Sequence, residues 1–262
     1  TYLAEVEDVK PNVVDYIMPV SKPSDLNITE YSLENSYLFL KIENGTIYIN
    51  GIKMSLVDFA DLGDSYNFGP KSDDKGNELK ILRSKVVLKT HLRAALKVDF
   101  ESVWDVVSAT ISLDRASTSL SFKFDWVNSQ KNHVLNAVFE LNQPIQEVFS
   151  EDMNTLIKRN FDADYNIREN LPKIRGVEVK NNTAPMQRGL LIDEENNNIG
   201  IVTKGLTQYE VYKNTLMIPI LRSTGVISNP QNPARTTPAG PPIPVESLQQ
   251  IGRNIAEFHV FF

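Results

Sequence analysis

A chain of 262 residues with no cysteine can form neither a disulfide nor a thiolate metal site. Its net charge of −6, with no Lys/Arg cluster interleaved with aromatics, argues against a phosphate-binding surface and so against nucleic acid as a partner. The 41% hydrophobic and 23% charged content is that of a soluble globular protein, and no apolar run reaches the ~20 residues a membrane-crossing helix needs. The lack of cysteine fits a reducing compartment, so the expected location is the cytoplasm, with no membrane partner.

Residues 1–28, with scattered prolines and two short apolar runs, are expected to be a strand from a preceding small β domain followed by a linker. One large domain is then expected over 29–262. Asn44-Gly45 and Asn50-Gly51 flank a short alternating run and predict consecutive two-residue hairpins, because both residue types tolerate positive φ. Further along, Leu96, Val98 and Phe100 alternate with charged residues. Leu120, Phe122, Phe124 and Trp126 do the same, and so do Leu135, Ala137, Phe139 and Leu141. Period-two patterns of this kind describe strands with one buried face, in antiparallel sheets packed face to face. Trp104 and Trp126 are both expected inside strands. Short helical turns are expected near 152–158 and 247–250, and Pro219 within an apolar strand predicts an edge or a bulge. Residues 228–245, rich in Pro, Asn, Thr and Gly, are expected to be a surface loop.

Chemistry is most concentrated in Gly63-Asp64-Ser65-Tyr66-Asn67-Phe68-Gly69-Pro70. Such a loop can expose acids and amides that bind hydroxyls beside aromatics that stack on C–H faces, although a purely structural loop would look the same. An apolar strand ending Leu221-Arg222-Ser223 would hold a guanidinium fork at a sheet edge. Asp58, Asp61 and Asp64 lie close together and are expected to form a solvated face. Acid–base or nucleophilic work by a carboxylate needs a positioned partner, and nothing in the sequence marks a partnered pair. His91, His133 and His259 have no metal-ligand spacing, so no metal is expected in this chain.

Several segments follow one another in a distinctive order: the Gly-Asp-Ser-Tyr loop, Pro185-Met186-Gln187-Arg188, Gly205-Leu206-Thr207-Gln208-Tyr209-Glu210-Val211, Leu221-Arg222-Ser223 and Ala239-Gly240-Pro241-Pro242. In that order they resemble the C-terminal region of the family-38 glycoside hydrolases, the α-mannosidases and mannosylglycerate hydrolases. The resemblance is clearest over 30–70 and 184–262, while strand texture alone supports the middle.

The resemblance implies an all-β fold: a large antiparallel two-sheet supersandwich similar to that of galactose mutarotase. It further implies a partner, the N-terminal catalytic domain of the same polypeptide, carrying zinc, an Asp nucleophile and an acid, with a mannoside as the sugar. The sandwich itself would be non-catalytic and would lend Tyr66 and Arg222 to the rim of the sugar site, with Asp64 beside them as a further substrate-binding candidate. Two alternatives stay open, a free-standing carbohydrate-binding module and a mutarotase-like sandwich with its own site. A homo-oligomer is also open.

Overall fold

In the computed structural model the described residues are 24–262 apart from 172–176, 178, 195–196 and 236. The first third of the chain forms β1 (Asn27–Ile28), β2 (Ser32–Glu34), β3 (Phe39–Glu43), β4 (Thr46–Ile49), β5 (Ile52–Ala60), β6 (Asn77–Glu78) and β7 (Lys80–Lys89). The middle forms β8 (Arg93–Glu101), β9 (Val106–Asp114), β10 (Ser119–Asn128), β11 (His133–Glu140), β12 (Glu147–Asp152) and β13 (Thr155–Asn160). Then come β14 (Thr183–Pro185), β15 (Gly189–Glu194), β16 (Asn197–Thr203), β17 (Gln208–Tyr212), β18 (Thr215–Ser223), a 3₁₀ turn at Glu246–Gln249 and β19 (Gly252–Phe261).

These strands make two antiparallel sheets, the expected all-β two-sheet supersandwich. The larger sheet runs β1-β2-β3-β4-β5-β11-β18-β17-β14, with β6 also on β5. The smaller runs β13-β12-β15-β16-β19-β10-β9-β8-β7. Among the described residues no helix is long and apolar enough to cross a membrane.

Alternation in sequence becomes alternation of burial. Leu120, Phe122, Phe124 and Trp126 of β10 are buried while Lys123 and Val127 between them are exposed. Phe122 and Phe258 stack at 5.2 Å across β10 and β19, and Phe139 from the other sheet meets Phe258 edge-on at 6.1 Å. Each such ring buried between the sheets contributes roughly 1.5–3 kcal/mol. Both Asn-Gly pairs form the expected two-residue hairpins, with φ of 52° and 75° at Asn44-Gly45 and 48° and 91° at Asn50-Gly51.

Several expectations need correction. Asn27–Ile28, placed on the linker side of the boundary, pairs with Ser32–Glu34 as the first strand of the larger sheet, and residues 1–23 lie outside the described residues. Residues 152–158 are no helical turn but the tip of the β12–β13 hairpin. Met153 and Asn154 both take positive φ there, and the ladder satisfies backbone groups that a helical turn would leave open. Trp104 sits in the turn between β8 and β9, its backbone N–H on Ser102 Oγ, and not in a strand. The disruption expected at Pro219 is, as one of its two alternatives, a bulge and not an edge: β18 lies between β11 and β17, and the register skips a residue opposite Leu135/Asn136.

The two outer faces differ. The middle of the larger sheet's outer face is roofed by loops: Phe68, Ile167 and Ala234 bury themselves on Val134, with Phe59 and Tyr165 packed alongside. These loops, 61–76, 161–171 and 224–245, carry the polar chemistry of the chain.

Candidate functional site

The loop after β5 is tied to itself by two aspartates. Asp61 Oδ1 accepts the backbone N–H groups of Gly63 (2.8 Å) and Gly69 (2.9 Å), pinching the loop at its base. Both positions demand glycine for space: a Cβ on Gly63 would lie 2.1 Å from the Asn67 carbonyl oxygen, and one on Gly69 would lie 2.4 Å from the Gly63 nitrogen. Asp64 Oδ1 accepts from the backbone of Tyr66 and Asn67, each at 3.0 Å. Its Oδ2 accepts from the Asn229 backbone at 2.7 Å and from the Arg235 guanidinium.

Two arginines from distant parts of the chain close the assembly. Arg222, at the end of β18, donates from Nε to Asp61 Oδ2 (2.8 Å) and from Nη2 to the Asp64 carbonyl (2.7 Å). Arg235 donates to Asp64 and Asn67 side chains and, through Nε, to the Thr237 carbonyl at 2.8 Å. Asn229 and Asn232 stitch the 224–245 loop down through their amides to the carbonyls of Leu62 and Asn67. Burial pushes the Asp64 carboxyl up, but three backbone N–H groups and the Arg235 charge outweigh it and hold it below the usual carboxylate range.

On this buried frame stands Tyr66, 55% exposed, with the Arg235 guanidinium 5.7 Å from its ring centroid. Gly240 lies against the phenol, so that a Cβ there would be 3.0 Å from the hydroxyl. Tyr66 and Arg222 thus sit at one end of the sandwich, and Arg222 keeps a fifth of its side chain exposed. Asp64 is different: it is fully buried and its two oxygens already take four donors, which fills the capacity of a carboxylate. Its work is to hold the Tyr66 loop, and no oxygen is left for a hydroxyl.

The solvated acidic face expected of Asp58, Asp61 and Asp64 does not exist. All three are buried, because each finds a cationic or N–H partner that outweighs desolvation. Asp58 accepts at Oδ1 from His133 Nδ1 (2.7 Å) and at Oδ2 from Trp104 Nε1 (3.2 Å). The other ring nitrogen of His133 faces Asn128 Oδ1 at 3.1 Å. That amide is oriented by donating to the Gln249 carbonyl and accepting from the Gln130 backbone. Both nitrogens of the fully buried His133 ring therefore lie within hydrogen-bond distance of a side-chain oxygen. Gln249 extends the network to Asn132 and Ser223.

Sequence reasoning missed Arg235 and His133. The Asn229-Pro230 and Asn232-Pro233 steps mark asparagine-led turns, whose side chains cap Gln231 and Ala234. They signal an ordered loop, but not the Asp64 it would meet. Among the described residues no group of three or more His, Cys, Asp or Glu is placed to hold a metal ion. What this end of the sandwich offers is an exposed phenol and a partly exposed guanidinium on a hydrogen-bonded base.

The fold and this loop end define an antiparallel supersandwich whose polar loops gather over one face and one end. No protein-family model matches the chain, and no curated protein matches it. Solved structures do. An α-mannosidase from Enterococcus faecalis V583 superimposes with a TM-score of 0.72 at 15% identity, over 92% of this chain and 30% of that one. A glycosyl hydrolase family 38 protein from Enterococcus faecalis does so at 0.71 and 14%, with the same coverage. These likenesses establish the fold, and the chain spans 30% of the length of both proteins. A galactose mutarotase related enzyme from Lactobacillus acidophilus aligns over 89% of this chain and 97% of its own, at 11% identity and a TM-score of 0.37, too low to support an argument.

Proposed function

We propose that this chain is the non-catalytic C-terminal sandwich of a retaining α-mannosidase-like glycoside hydrolase. In this reading it packs on a catalytic domain of the same polypeptide and lends Tyr66 and Arg222 to the rim of the sugar site. The observation that supports it best is the superposition on 92% of this chain of a segment amounting to 30% of an α-mannosidase. The sequence order of loop, strand and Leu-Arg-Ser ending agrees with it. The buried pairs Asp61–Arg222 and Asp64–Arg235 fit a part built to present one exposed tyrosine at a fixed place. Zinc, nucleophile and acid belong, in this reading, to the catalytic domain.

Two measurements test it. The isolated chain should turn over no aryl α-mannoside, and hydrolysis by the purified chain that a point change within it abolishes would overturn the accessory role. In the full-length enzyme, Tyr66→Phe should lower kcat/KM by roughly two- to a hundredfold, the value of one hydrogen bond to a neutral or charged partner. The thermal midpoint should stay put, since the hydroxyl is on an exposed ring. Unchanged kinetics would remove Tyr66 from the site.

A further inference from the structure

On the outer face of the larger sheet lies a cavity of about 560 Å³ whose lining does not include Tyr66, within the ~300–1,000 Å³ range of small-molecule sites. Its floor is the apolar outward row of three adjacent strands: Val57 and Phe59 of β5, Val138 of β11 and Met217 of β18. The walls come from two loops, 71–75 on one side and 166–169 on the other, with Tyr212 and Thr215 closing an edge.

The chemistry of the walls is specific. Lys71, Lys75 and Arg168 stand against Asp73, Asp74 and Glu169, and Glu210 pairs with Arg168, so the walls carry no excess of positive charge that would favour an anion. Arg168 is already neutralised by Glu210 at 2.6 Å and clamped over the rings of Phe59 and Phe68 at 4.4 and 5.0 Å. Asp74 is taken up by the backbone N–H groups of Ala60 and Gly76 at 2.7 and 2.9 Å. These two fix the wall in shape. The side chains of Lys71, Asp73, Lys75 and Glu169 are exposed around the opening, donors and acceptors interleaved above an apolar floor. A hydroxyl is donor and acceptor at once, and a ring bearing several of them also has an apolar C–H face.

From this geometry we infer a second ligand site, a pocket for a single neutral pyranose ring with its C–H face on the Val57/Phe59/Val138/Met217 floor and its hydroxyls among the Lys71, Lys75, Asp73 and Glu169 side chains. It rests on the cavity alone and not on the assignment of Tyr66 and Arg222.

The test is ligand-observed NMR on the 262-residue chain with methyl α-D-mannopyranoside and methyl β-D-glucopyranoside, each titrated to roughly 50 mM. Saturable transfer to at least one pyranoside is expected, abolished by Thr215→Trp, which fills the cavity edge. Lys71→Ala combined with Lys75→Ala touches only exposed side chains and should weaken binding by about tenfold. It serves as the readout if the tryptophan variant fails to fold. Three results would each overturn the site: no saturable transfer to either pyranoside; affinity unchanged in the lysine double variant; or tighter binding of inorganic phosphate than of both sugars. Binding lost only in Tyr66→Ala would move the sugar to the end of the sandwich. Because the kinetics of the longer enzyme play no part, failure here leaves the accessory role standing.

Discussion

Two aspartate–arginine pairs in opposite surroundings set the residue scale. Asp64–Arg235 is buried on both sides, whereas Asp125–Arg253 bridges at 2.6 Å with its arginine two-thirds exposed. Arg235→Met leaves a buried carboxylate with backbone donors only and should lower stability by about 3–5 kcal/mol, whereas Arg253→Ala should stay within ~1 kcal/mol. Urea melts of the two variants side by side check this, and equal effects would refute it. The pH dependence has a definite sign. The folded Asp64 carboxyl lies below its unfolded value near ~3.9, so it contributes stability fully above that value, and the contribution is lost as pH falls through the lower folded value. Asp99 behaves alike: burial pushes it up, but Ser108, Arg83 and Lys97 hold it down overall. Asp64→Asn should therefore flatten the acid limb of a stability–pH profile below about pH 4 and be costly at pH 7.

At the scale of elements, turns that allow positive φ decide where strands reverse, and spacing decides which face they bury. Asn44-Gly45, Asn50-Gly51 and Met153-Asn154 all join neighbouring strands through two residues of positive φ. Only the third lacks a glycine, which is why the β12–β13 hairpin was hard to foresee. The Gly63/Gly69 contact is a constraint of a different kind. With under 3 Å available for a Cβ against backbone on either side, Gly63→Ala must open the loop that carries Tyr66. The substitution should cost about 1–3 kcal/mol and raise amide exchange at Tyr66 and Asn67 above that of β5. Protection equal to that of the wild-type loop would refute the tight Gly63/Gly69 crossing.

Over the whole molecule, one hydrophobic core runs through both sheets, from Leu33 and Leu40 at one edge of the larger sheet to Ile199 and Ile201 in the smaller. A single core of this kind predicts one cooperative unfolding transition for residues 24–262, with fluorescence and circular dichroism coincident. Phe124→Ala, at its centre and fully buried, should cost about 3–5 kcal/mol and shift both signals together. A smaller cluster, around Phe68 and Ile167, packs the loops onto Val134 and Phe59 of the larger sheet. The site at the loop end and the cavity on the larger sheet both depend on that roof.

The amino-acid order by itself determined the class of fold, the faces of β8, β10 and β11, the two Asn-Gly hairpins and the disruption at Pro219. Each of these is written within a few neighbouring residues, as a period of two or as a residue with unusual backbone freedom. Only the tertiary structure decided that Asp58, Asp61 and Asp64 are buried, that Arg235 and His133 are their partners, and that a cavity stands over Val57 and Met217. The reason is separation along the chain: Arg222 meets Asp61 across 161 positions and Arg235 meets Asp64 across 171. A carboxylate with no visible partner reads as solvated, because leaving water uncompensated is too costly. What reverses that balance is a guanidinium delivered by a strand end or loop that the local sequence does not announce.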